Sequence, residues 1–93
     1  MFDTPRFSLG HCFMTPGAQE ALAASGQQPF EFLLRHQCGD WGEVDTEDAE
    51  ENERSLLHGW RILSAYRTTR GERLWLITEA DRSSTTCLLP SEY

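Results

Sequence analysis

His36, Cys38 and Asp40 fall within five residues of one another, in the stretch RHQCGDWG. An imidazole, a thiol and a carboxylate are the types that a nucleophile, its base and an orienting acid require. The spacing does not by itself turn them toward one pocket. The plainer reading is a capped helix end, a buried cysteine and a turn around a packed Trp41. A second group lies in TEADRSSTT, residues 78–86, where Glu79, Asp81 and Arg82 stand beside the four consecutive hydroxyl residues 83–86. Such a loop suits an anion or a ribose. It equally suits a turn whose Asp and Ser side chains bond the local backbone while Arg82 pairs with an acid. His36, Asp40, Asp81 and Arg82 together define one reading of the chain, a small enzyme or a nucleotide- or anion-binding module.

Other chemistry finds little support. His11, Cys12, His36, Cys38, His58 and Cys87 show neither the C-x-x-C nor the H-x₃₋₅-H spacing of a zinc site, so no metal is expected. There is no phosphate-binding glycine loop and no G-x-S-x-G elbow, and no cofactor is expected. Trp60, Tyr66 and Trp75 alternate with Arg61, Arg67 and Arg73, a pattern that can stack bases, but core aromatics with solvent-facing arginines explain it as well.

The most unusual stretch is GEVDTEDAEENE, residues 42–53. It holds seven acids, Glu43, Asp45, Glu47, Asp48, Glu50, Glu51 and Glu53, and no base. The rest of the chain balances, so the net charge of −7 sits here. Read as a helix, the stretch sets like charges against each other at Glu47/Glu51, Glu47/Glu50, Asp48/Glu51 and Glu50/Glu53, each pair costing about 0.2–0.5 kcal/mol. Only Glu50/Arg54 and Glu51/Arg54 offset this. Helix stability alone does not explain such a sequence. A solvated, solubilising face is one account. A docking surface for a cationic protein groove is the other, with Trp41 at its approach. Duplex DNA carries one charge per about 1.7 Å, and a helix rising about 1.5 Å per residue would present carboxylates at similar linear density, a partial imitation of phosphates.

These residues must be positioned by a small body. Residues 1–93 read as a single domain with a modest core. The acidic balance argues against direct binding of nucleic acid and of anionic membranes. No apolar run suits a membrane span and the N-terminus lacks a signal-peptide layout, so a cytoplasmic location is expected. Three sparse cysteines do not make a disulfide framework, and buried thiols are expected.

RFSLGHCFM, residues 6–14, predicts a strand. Thr15 and Pro16 open a helix, PGAQEALAAS, with Ala18, Ala21, Leu22 and Ser25 on one face and Gly26 at its end. QPFEFLLRHQ predicts a second helix with Phe30, Leu33 and Leu34 as its buried stripe. Asp45 caps a third over about residues 46–58, with Ala49, Leu56, Leu57 and Trp60 inward and Gly59 as its stop. The period then changes to two. WRILSAYRTT, RLWLITEA and TTCLLP predict an antiparallel three-strand meander, its middle strand apolar on both faces. The expected fold is α+β: three helices packed on that meander, with the N-terminal strand at an edge of the sheet.

The strings TPGAQEALAASG, LLRHQCGDWGEV, ENERSLLHGWRILSAY and LWLITEADRSSTTCLLPSEY resemble a group of short bacterial proteins of unknown function carried on plasmids and integrative elements, labelled plasmid-related. GDWG and ITEADRSST are the most specific parts of the likeness. The resemblance implies a mobile-element setting and carries over no catalytic or binding residue. In that setting small acidic proteins often block host defence nucleases, restriction and CRISPR effectors among them. The leading expectation is therefore a non-enzymatic acidic interaction module whose partner is a protein with a basic groove. A homodimer through an exposed strand edge is a further possibility.

Overall fold

A computed structural model describes residues 4–93. The N-terminal stretch read for a signal peptide begins with residues 1–3, which lie outside the described residues. The chain is α+β, as expected. Its elements run β1 (His11–Met14), α1 (Pro16–Ser25), α2 (Pro29–Gln37), α3 (Thr46–His58), β2 (Ile62–Arg67), β3 (Arg73–Thr78), β4 (Ser84–Leu88) and a closing 3-10 turn, Pro90–Glu92. The four strands form one mixed sheet in the order β1-β4-β3-β2. The C-terminal meander is antiparallel, and β1 joins β4 in parallel, His11 opposite Ser84 and Met14 opposite Cys87.

Local signals set the helix ends. The Thr15 side chain accepts the Ala18 N–H, and Asp45 accepts that of Asp48 at 2.8 Å. Each satisfies a donor that the first turn leaves orphaned. Gly26 and Gly59 close α1 and α3 in the left-handed conformation. The first strand is shorter than predicted because Gly10, at φ 65°, breaks the extended run. Residues 6–9 instead cross toward α2, where the Arg6 N–H donates to the Gln37 carbonyl at 2.9 Å.

α1 and α2 cover one face of the sheet. Ala18, Ala21 and Leu22 of α1 and Phe32 of α2 meet Tyr66, Leu74, Leu76 and Cys87. Full burial of a side chain such as Leu22 or Phe32 contributes about 1.5–3 kcal/mol. On the other face Ala65, Ile77 and Leu88 are also buried, and Tyr93 stands edge-on to Trp75 at 5.6 Å while its hydroxyl accepts from Arg61 at 3.2 Å.

Two helices turn differently from the apolar pattern. Phe30 of α2 is 64% exposed and Leu33 and Leu34 are half-buried, whereas Phe32 and His36 face the sheet. This i, i+4 pair is favoured because Phe32 packs on Tyr66 and both ring nitrogens of His36 find partners, which removes the cost of burying it. In α3, Asn52 and Ser55 are buried, Ala49 and Leu56 half-buried, Leu57 82% exposed and Trp60 47% exposed. α3 meets an edge strand rather than a sheet face. Asn52 donates to the Leu63 carbonyl at 2.7 Å and accepts the Leu63 N–H at 3.1 Å. A leucine there would leave both peptide groups of β2 without a partner. The cysteines also differ from expectation: Cys87 is buried, and its thiol pKa is pushed up to about 12 by burial, but Cys38 is half-buried and Cys12 exposed.

Candidate interaction surface

The residues read as chemical candidates are engaged in holding the fold. His36 is fully buried, with Nδ1 2.6 Å from Ser64 Oγ and Nε2 2.8 Å from Thr78 Oγ1. Thr78 Oγ1 lies 2.7 Å from Thr85 Oγ1, and Thr85 donates to the Leu9 carbonyl at 2.8 Å. A carbonyl can only accept, and each hydroxyl has a single proton. The direction of the whole chain is therefore determined: Thr85 donates to Leu9, Thr78 to Thr85, and His36 Nε2–H to Thr78. Nδ1 is left as the acceptor for Ser64. The ring is neutral, and its pKa is lowered to about 3 by burial and by the nearby Arg82 guanidinium. Phe7 and Trp41 stand edge-on to it at 5.2 and 6.1 Å. A serine hydroxyl on a histidine nitrogen is the contact a nucleophile needs, but both groups are 0% exposed.

Asp40 takes Arg35 Nε at 2.7 Å and the Gly42 N–H at 3.1 Å, while its own carbonyl accepts from the Tyr66 hydroxyl at 2.6 Å. Burial opposes ionisation of its carboxyl, but the hydrogen bonds from Arg35 and Gly42 outweigh it and lower the pKa. Asp81 accepts the Ser83 N–H at 3.0 Å in its own turn. Arg82 is the one described non-glycine residue at positive φ, 61°. Its guanidinium donates to four carbonyls, those of Trp60 at 2.7 Å, Ser55 at 3.0 Å, Glu79 at 3.1 Å and Ala80 at 3.2 Å. It thus caps the C-terminal end of α3, where a cation is favoured. No hydrogen bond joins any two of His36, Asp40, Asp81 and Arg82. Three surface depressions of about 330, 380 and 180 Å³ include none of them. No metal-holding group of His, Cys, Asp and Glu forms among the described residues.

GDWG closes the body onto α3. Trp41, expected at the approach to a docking surface, is instead 7% exposed. Its ring stacks on Phe7 at 6.3 Å and its indole N–H donates to Glu53 at 3.1 Å. It cannot supply a partner contact without leaving the core. Gly42, at φ 74°, forms a bridge with Ala65, and a Cβ there would overlap the Ala65 carbonyl and the Tyr66 ring.

The acidic stretch divides into two sets. Glu53 takes both ends of the Arg6 fork, at 2.7 and 3.0 Å, and the hydrogen bond from Arg6 lowers its pKa. Glu43 pairs with Arg67 at 2.9 Å and Glu51 with Arg54 at 2.9 Å. Asp45 is the cap. Glu47, Asp48 and Glu50 are exposed and make no ion pair among the described residues. Their spacing, with Arg54 and Leu57, places Glu47, Glu50, Arg54 and Leu57 along one outward ridge, opposite the buried Asn52 and Ser55. The Arg54 pKa is raised, first by its hydrogen bond to Glu51 and also by Glu50 and Glu47. Asp48 and Glu51 border the 180 Å³ dent between α3 and β2, beside Asn52, Arg61 and Leu63.

No family model, curated protein or solved structure matches the chain.

The base-stacking pattern also separates in space. Tyr66 faces the helices and is buried, Trp75 lies on the opposite face, and Trp60 precedes β2 with its ring 4.7 Å from that of His58. Arg61 and Arg67 pair with Glu79 and Glu43. No helix is long and apolar enough to cross a membrane among the described residues.

Proposed function

We propose that the chain is a non-enzymatic interaction module that docks the outward ridge of α3 onto a cationic protein surface. One observation carries this reading: the carboxylates of Glu47, Asp48 and Glu50 stand exposed and unpaired, while a separate set, Asn52, Glu53 and Ser55, holds the helix to the body. The residues that fix the helix and those that present charge are different residues. The exposed Leu57 ends the same ridge and supplies an apolar contact where Trp41 does not. Charge on such a ridge speeds encounter and orients the partner, while the apolar end adds specificity.

The partner class we favour is a nucleic-acid-handling protein, a restriction or CRISPR effector of a host confronting a mobile element. Residues 47–51 advance about 6 Å along the helix, a length in which duplex DNA carries three or four charges. Glu47, Asp48 and Glu50 provide three unpaired carboxylates over that short distance. The resemblance to plasmid-borne proteins supports the setting.

The test uses such effectors directly. DNA cleavage by a panel of restriction and CRISPR nucleases is measured with the wild-type chain and with the triple variant Glu47→Gln, Asp48→Gln, Glu50→Gln, over a salt series. The three substitutions leave the structural pairs of Glu43, Glu51 and Glu53 intact. Inhibition by the wild type, weakened about tenfold or more in the variant and by added salt, is the expected result. Absence of inhibition across the panel, or equal inhibition by both proteins, overturns the reading.

A further inference from the structure

The sheet has two edges, and they are treated differently. At β2 the outward peptide groups of Leu63 and Ala65 are engaged: Asn52 takes the N–H and carbonyl of Leu63, the Ala65 N–H donates to the Trp41 carbonyl at 3.1 Å, and the Ala65 carbonyl accepts the Glu43 N–H at 2.6 Å. At β1 the His11 N–H donates to Ser83 and the Thr15 N–H to Cys87. Strand alternation puts Phe13 on that same inner side and turns the peptide groups of Cys12 and Met14 outward. The strand has none of the devices that blunt an edge, no charge, no proline and no bulge. Its Phe13 is 56% exposed. Residues 7–19, which contain it, hold no Asp, Glu or Arg.

We infer that β1 pairs with β1 of a second copy, antiparallel, joining two four-strand sheets into one of eight. Charge selects a second copy as the occupant. Each chain carries −7, concentrated at residues 43–53 beside β2, so two copies repel wherever those stretches approach. β1 lies three strand steps from β2, about 14 Å. Pairing through β1 sets the two β2 edges seven steps apart, about 34 Å, roughly four Debye lengths at physiological salt. It joins the neutral edges and keeps the acidic ones at opposite ends, leaving both α3 ridges accessible.

The register follows from the neighbours. Gly10 leaves the extended conformation and Pro16 has no N–H, so pairing is confined to residues 11–15. A two-fold axis through Phe13 centres that window. Cys12 then exchanges both hydrogen bonds with Met14 of the second copy. Phe13 meets its own copy in the closer, non-hydrogen-bonded pair. So short a contact falls below the about 800 Å² per partner of a standard interface, and the association is concentration-dependent.

Sedimentation velocity from about 5 to about 500 µM tests this, with hydrogen exchange read residue by residue at both ends of the range. The expected result is a rise from monomer to dimer mass, with the Cys12 and Met14 amides gaining protection as the dimer forms. Phe13→Lys, at an exposed position, should stay monomeric at about 500 µM with an unchanged thermal melt. Monomer mass throughout for the wild type overturns the inference. So does a dimer whose Cys12 and Met14 amides exchange freely, one that persists in a folded Phe13→Lys variant, or a strand of another protein taken up by a chain that stays monomeric.

Discussion

Lowering the pH acts first on His36. The folded chain holds its imidazole neutral down to about pH 3, whereas the ordinary value is 6.5. Between those values the unfolded chain binds a proton that the folded chain does not, so stability rises with pH across the window. The contribution is complete above about pH 6.5 and is lost as pH falls toward about 3. At about 1.36 kcal/mol per pH unit it amounts to about 4–5 kcal/mol. A domain of this length has about 5–14 kcal/mol in all, so one imidazole governs a large share of its acid tolerance. Arg82 lowers the His36 pKa further, in the same direction as burial, and the groups touching the ring are neutral: Ser64, Thr78, Phe7 and Trp41. Asp40 and Glu53 also have lowered pKa values, but they titrate below the usual carboxylate range and add their effect only at the acid end. Urea unfolding followed by tryptophan fluorescence should show a loss of about 2–3 kcal/mol between about pH 6.5 and about pH 4.5. Imidazole NMR should show His36 as the Nε2–H tautomer, still neutral at about pH 5. Stability that is flat over this interval, or a His36 that titrates near 6.5 in the folded chain, would refute the reasoning.

Two further outcomes follow from the joints around α3. Gly42→Ala should cost more than about 2 kcal/mol, because positive φ and overlap with the Ala65 carbonyl add together. Gly26→Ala, where φ is 71° but nothing lies within 4 Å, should cost only about 1 kcal/mol; paired denaturation curves decide between them. Arg82→Ala should destabilise the chain by about 2–4 kcal/mol, since four carbonyls lose a charged donor, and hydrogen exchange should accelerate first in the last turn of α3.

What the sequence makes legible is whatever neighbours decide. Thr15, Asp45, Gly26 and Gly59 mark helix ends through contacts made within a few residues, and the change of period after Gly59 announces the meander. β1 could be placed at an edge, but its parallel pairing with β4 depends on contacts more than seventy residues apart. The buried faces of α2 and α3 were misplaced for a related reason. Apolar periodicity favours Phe30 and Leu57, whereas His36 and Asn52 are buried by hydrogen bonds to strands that come later in the chain. The i, i+4 pair Phe32/His36 was the available signal for α2. For α3 it was Asn52, an uncharged amide amid charges. The two strings that held the chemical candidates, RHQCGDWG and TEADRSSTT, contain the joints that attach α3 to the sheet, Trp41 bonding Glu53 and Arg82 bonding the Ser55 and Trp60 carbonyls. Of the acidic set, Glu47, Asp48 and Glu50 alone are left exposed with neither an ion pair nor a capping bond among the described residues.

Asn52 grips β2 by its peptide groups, which every residue type except proline offers in full. The attachment of α3 is therefore indifferent to which side chain occupies position 63. Selection can recut the outer ridge of the helix, changing its pattern of charge and apolar contact, without touching the bracket beneath it. A protein pursued by evolving adversaries would gain from such a mounting, with a replaceable blade on a fixed handle.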